Sequence, residues 1–107
     1  EFMATIKSTD ETFDILVKEN KVIIFDFWAS WCSPCLKMSP LLEEISEEMK
    51  DVKIAKHNLD DEPNVPVTHG VRGIPTLILF LDGEKKSTKV GLVPKSEIVS
   101  WIKESIA

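Results

Sequence analysis

The chain has 107 residues, 43% of them hydrophobic, and 13 Lys and Arg against 18 Asp and Glu give a net charge of −5. That is one domain's length, enough to bury a sizeable core, and no Pro-, Gly- or Ser-rich linker or internal repeat divides it. The acidic balance speaks against nucleic acid as a partner, and the longest apolar runs fall far short of the ~20 residues of a membrane span.

In chain order, Glu1-Phe2 ahead of Met3 reads as a cloning remnant, which leaves residues 4–107 as the single domain. Residues 4–7 alternate as a short strand. Ser8 with Glu11 three positions later forms a capping box, predicting a helix through about Lys18 with Phe13, Leu16 and Val17 as its apolar stripe. Residues 22–29 are apolar, mostly β-branched and aromatic, apart from Asp26, as expected of a strand buried on both faces. Met38, Leu41, Leu42, Ile45 and Met49 recur on one helical face, with Glu43, Glu44, Glu47 and Glu48 on the other. Those glutamates read as a solvated face rather than an acidic docking surface, and Pro40 inside the helix is expected to kink it.

Residues 52–56 predict a second inner strand. The polar stretch 60–70, broken by Pro63 and Pro66, has room for a short helix near 67–69 with Gly70 as its cap. Thr76–Leu81 is a third apolar strand, and Asp82-Gly83 signals a hairpin into residues 86–90. From Lys95, the apolar residues Ile98, Val99, Ile102 and Ile106 mark a terminal amphipathic helix. Helices between the first three strands, then a hairpin and a helix, make an α/β domain with a mixed sheet.

Both cysteines, Cys32 and Cys35, sit where the central strand gives way to the next helix, with Pro34 in its first turn. Residues three apart on a helix share a face with Cβ atoms roughly 5–6 Å apart, within a small adjustment of disulfide reach. A ring that small restricts the unfolded chain little, so a structural staple explains the pair poorly and reversible redox chemistry explains it better. Exchange needs a thiolate nucleophile, and Cys32 meets the free amides and positive end of the helix dipole. Cys35, one turn inside, is the resolving thiol and is expected to be the more buried. Asp26 should lose hydration in its apolar run, and the resulting upward shift suits it to accept a proton from Cys35 near neutral pH. The plainer reading is a buried aspartate satisfying backbone amides. His57 and His69 could nominally complete a metal set with the cysteines, but their spacing fits no zinc pattern. No phosphate loop, flavin or nicotinamide signature is visible, so electrons must come from a partner protein.

Trp31-Cys32-Ser33-Pro34-Cys35 resembles the Trp-Cys-Gly-Pro-Cys site of thioredoxins, and Asp26, Pro40, Gly73-Ile74-Pro75-Thr76 and Val90-Gly91 fall where that family has counterparts. The resemblance spans Ala4 to the C-terminus. It implies a five-stranded mixed sheet flanked by about four helices, and Lys56 as the lysine partnering Asp26. It also implies a cis bond at Ile74-Pro75, against the base rate of about 5–6% for such bonds. Trp31, Ser33, Pro34, Gly73, Ile74, Pro75, Val90 and Gly91 would form an apolar, backbone-rich patch for extended polypeptide. The function implied is reduction of protein disulfides through the Cys32–Cys35 disulfide with no other cofactor, recharged by a thioredoxin reductase. The alternative is a redox-independent binding or scaffold subunit using the same surface. A Cys-x-x-Cys without a signal peptide points to a reducing cytoplasm and, with this size, to a monomer. Two departures stand out: Ser33 replaces the family's glycine, and Leu36 replaces its lysine, the nearest lysine being Lys37, about 100° round the helix.

Overall fold

In a computed structural model, which describes residues 4–107, the chain alternates strand and helix: β1 (Ile6–Ser8), α1 (Phe13–Glu19), β2 (Val22–Trp28), α2 (Ser33–Glu48), β3 (Lys53–Asn58) and α3 (Asn64–Thr68). It closes with β4 (Thr76–Leu81), β5 (Glu84–Val90) and α4 (Lys95–Ile106). The sheet order is β1-β3-β2-β4-β5, with β1, β3 and β2 parallel and β4 and β5 antiparallel to their neighbours. This is the mixed five-stranded α/β architecture expected. The remnant expected at Glu1-Phe2, with Met3, lies outside the described residues.

Alternation along β2 divides the core. Val22 and Ile24 face α2 and α4, packing with Met38, Leu42, Ile45, Ile98 and Ile102. Ile23, Phe25 and Phe27 face the other way, against Phe13 and Val17 of α1 and Val65 of α3. Asp26 has the parity of Ile24 and therefore points to the α2 side. β1 and β5 are the sheet edges. β1 is only three residues long, and β5 carries exposed Lys85 and Lys86, with Lys89 bound to Glu97 at 2.6 Å. The Asp82-Gly83 hairpin holds: both residues have positive φ, 51° and 86°, as a two-residue turn matched to strand twist requires.

Several boundaries move: β1 runs Ile6–Ser8 rather than 4–7, β2 stops at Trp28, and β5 starts at Glu84 rather than Lys86. The Ser8–Glu11 capping box does not form; Ser8 ends β1 and its Oγ lies 2.9 Å from Nδ1 of the fully buried His57. Thr9 and Thr12 supply the reciprocal bonds instead, each backbone N–H donating to the other's hydroxyl at 3.0 Å, and α1 starts at Phe13. β3 begins one residue late and continues through His57 and Asn58, because His57 is satisfied at both ring nitrogens, by Ser8 and by the Glu62 carbonyl at 3.0 Å. α3 occupies Asn64–Thr68 rather than 67–69. Pro66 sits in its first turn, where a missing N–H leaves nothing unpaired, and the Asp10 carboxylate accepts from the N–H groups of Asn64 and Val65 at 3.0 and 2.8 Å.

Candidate functional site

The redox pair lies where β2 ends and α2 begins. Cys32 is the N-cap of α2, with Ser33 and Pro34 in the first turn, whose N–H groups have no intrahelical partner. Cys32 and Cys35 are joined as a disulfide across a Cα separation of 5.2 Å, and the Cys35 N–H donates to the Cys32 sulfur at 3.2 Å. The expected difference in burial is slight: Cys32 is 4% exposed and Cys35 2%. What separates the two sulfurs is their setting. Cys32 caps α2 with its Sγ 3.9 Å from the Ile74 carbonyl, while Cys35 lies inside the first turn of the helix.

The Ile74-Pro75 bond is cis, as the resemblance implied. Ile74 packs against Ala29, Cys32 and Cys35. The Pro75 carbonyl accepts from Gly91 N–H at 2.8 Å, and Val90 pairs with Thr76. Gly91 has φ +95°, which favours glycine there, whereas Gly73 is uncrowded: an added Cβ would come no nearer than 3.9 Å to Val90. Trp31 at 68% and Val90 at 60% are exposed, as are Ser33, Pro34 and Gly73; Pro75 itself is buried. The fold thus gathers segments from residues 31–34, 73–75 and 90–91 around one sulfur.

Asp26 is 1% exposed, and neither carboxylate oxygen has a hydrogen-bond partner among the described residues. Burial pushes its carboxyl up to about 7, with the Lys56 charge pulling the other way. The plainer reading of Asp26, a carboxylate satisfying backbone amides, is therefore not what the structure holds. Lys56 is its register neighbour on β3, yet the two make no ion pair. The Lys56 ammonium donates to Ser39 Oγ on α2 at 2.5 Å and sits 4.7 Å from the centre of the Trp28 ring. It also borders a cavity of 470 Å³ between β1 and residues 58–62.

Two contributors were not singled out from the sequence. Ser39 is one. Asp60 is the other: its carboxylate accepts from the Trp31 indole N–H at 2.8 Å, and its own N–H donates to Asn58 Oδ1 at 2.9 Å. A side chain 29 positions from its partner leaves no periodic trace. His57 and His69 are occupied elsewhere, His57 with Ser8 and Glu62, His69 against Phe13 and Phe80. Among the described residues no helix is long and apolar enough to cross a membrane.

Leu36 is half exposed on the first turn of α2, its N–H bonded to the Cys32 carbonyl at 3.1 Å. A lysine there would add a positive charge near the sulfurs. At roughly 8 Å and an effective dielectric of about 60, Coulomb's law gives ~0.7 kcal/mol in favour of a Cys32 thiolate. Stabilising the thiolate stabilises the reduced form, so Leu36→Lys is expected to raise the reduction potential by about 15 mV. A glutathione redox equilibrium on parent and variant measures it; an unchanged or lower potential would mean that solvent screens position 36 from the site.

The thioredoxin family model matches residues 4–104. The chain is 46% identical to the thioredoxin of Rickettsia felis over 100 residues, covering 92% of this chain and 95% of that protein. It is 41% identical to the thioredoxin of Acidithiobacillus ferridurans over 101 residues, covering 92% and 94% respectively. A solved mutant thioredoxin from Halobacterium salinarum superposes with a TM-score of 0.86 at 31% identity, covering all of this chain and 96% of that one. With its redox pair at the head of α2 on this sheet, the chain belongs to the thioredoxin family of thiol–disulfide oxidoreductases.

Proposed function

We propose that this protein is a single-domain, monomeric carrier of reducing equivalents in a reducing cytoplasm, with no cofactor beyond the Cys32–Cys35 pair. Reduced Cys32 attacks a substrate disulfide as its thiolate, forming a mixed disulfide and releasing one substrate thiol. Asp26 takes the Cys35 proton; the Cys35 thiolate then attacks Cys32 Sγ, closing the disulfide and expelling the second substrate sulfur, which takes up a proton. The observation that carries this reading is the position of Cys32, capping α2 next to exposed Trp31 and Ser33, with a buried carboxyl that has no hydrogen-bond partner among the described residues on the same side of the sheet. Lys56 acts on Asp26 by charge. Trp31, Ser33, Pro34, Gly73, Ile74, Pro75, Val90 and Gly91 receive an extended segment of the substrate protein, the backbone just before Pro75 pairing with it and the others offering surface.

A thioredoxin reductase is the proposed electron donor, since the chain carries no signature of a nicotinamide or flavin site. The test couples NADPH oxidation to insulin reduction through a bacterial thioredoxin reductase. NADPH consumption that depends on this protein is the expected result. Insulin reduction driven by dithiothreitol but not by NADPH and reductase would assign the recharging step to another donor.

A further inference from the structure

The neighbourhood of Lys56 contains an arrangement that the reaction scheme leaves unexplained. Asp26 and Lys56 are register partners on adjacent strands, roughly 4.8 Å apart in the sheet and on the same face, so a lysine side chain reaches the carboxylate with ease. Such a pair should close into an ion pair in a buried setting, where the attraction is strongest. Instead the ammonium is turned to α2 and hydrogen-bonded to Ser39 Oγ at 2.5 Å, with the Trp28 ring beneath it at 4.7 Å. Both Asp26 oxygens stay without a hydrogen-bond partner among the described residues.

We propose that Ser39 is a positioning residue for the proton-transfer step: its hydroxyl, with the Trp28 ring, holds the Lys56 ammonium off Asp26 and so keeps that carboxyl able to gain and lose a proton. This rests on Asp26 being the acceptor for Cys35. An aspartate locked to a lysine would stay ionised through the physiological range and could not store the proton taken from Cys35. One that feels the lysine only at a distance can. Burial outweighing the opposing pull of Lys56, leaving the carboxyl at about 7, is what such a tether produces.

The other charges around Lys56 do not supply the tether. Glu43, also on α2, is engaged by the Thr5 hydroxyl and by the backbone N–H groups of Ala4 and Thr5. Lys7, its register neighbour on β1, carries the same sign. Asp61 and Glu62 lie across the shared cavity, and Glu62 Oε1 is bound to the Asp10 N–H at 2.8 Å. β4 brings only Leu77 opposite Asp26.

The experiment is a carbon-13 titration of the Asp26 carboxyl in the oxidised protein, where the cysteines do not titrate, for the parent, Ser39→Ala and Ser39→Thr. Releasing Lys56 in Ser39→Ala should let it approach Asp26 and lower the midpoint by about one unit, the small end of what an adjacent opposite charge does. Ser39→Thr keeps the hydroxyl and should restore the parent midpoint. The acid limb of insulin reduction should move down with the carboxyl in Ser39→Ala. An Asp26 midpoint unmoved by loss of the hydroxyl overturns the proposal, as does a shift that threonine fails to reverse. Asp26→Asn separates this from the reading beneath it: if that variant keeps the parent's acid limb, Asp26 is not the acceptor, whatever the titration says about Ser39.

Discussion

Replacing Cys32 with serine is expected to bring insulin reduction down to the rate of the driving dithiol alone, whereas Cys35→Ser should form a covalent adduct with substrate that persists. The asymmetry follows from position. Cys32 caps α2, where unpaired amides favour a thiolate and the sulfur faces the Ile74 carbonyl. Cys35 lies one turn along α2 and is buried at 2% exposure, so its part is to attack Cys32 once the substrate is attached. Without it the mixed disulfide has no internal way out and should appear as a higher band on a non-reducing gel, dispersed by excess dithiol. Adducts formed by Cys32→Ser through Cys35 would reverse the two roles.

The second large effect is on stability. Asp26 is buried with its carboxyl raised to about 7 from 3.8. Between those values the folded state holds a proton that the unfolded chain has released. The folded state therefore binds more protons, and stability falls as pH rises through that window. At 1.36 kcal/mol per unit the loss is about 4 kcal/mol, fully developed above pH 7 and absent below about pH 4. A loss of that size is a substantial part of a small domain's total stability. Asp26→Asn has nearly the same shape and no charge to bury, so it should erase this slope. It should match the parent near pH 4, exceed it by several kcal/mol at pH 8, and slow the resolving step. Urea unfolding of both proteins across pH 4 to 8 decides the matter. Parallel stability curves would show that the buried carboxyl stays comfortably ionised.

Much of this was legible in the sequence because it rests on local pattern. Asp26 betrays itself as one charge in an apolar strand, the cysteines by their spacing, and the hairpin by Asp82-Gly83. The misplaced start of α1 shows where local pattern loses. Ser8 and Glu11 have capping-box spacing, yet a buried imidazole on β3 needed a hydrogen-bond partner and recruited the Ser8 hydroxyl, so Thr9 and Thr12 took over the turn. α3 was displaced for a related reason: a proline reads as a breaker, but in a first turn it breaks nothing. Ser39 and Asp60 left no mark at all. Each matters through one hydrogen bond to a side chain 17 or 29 positions away, and a serine on a helix or an aspartate in a polar loop looks ordinary until the fold delivers its partner.

The character of the sheet's two borders has a consequence for the protein in concentrated solution. Open strand borders invite other chains to join by backbone pairing, the first step towards fibrils and swapped oligomers. One border here is only three residues long; along the other, Lys85 and Lys86 stand exposed and Lys89 is tied to Glu97. A neighbour approaching along β5 would bring lysines against lysines. The apolar strands β2 and β4, which would be the hazardous ones, are enclosed between these borders and covered by helices on both faces. The folded protein should therefore stay dispersed at high concentration, and aggregation, when it comes, should begin from unfolded chains.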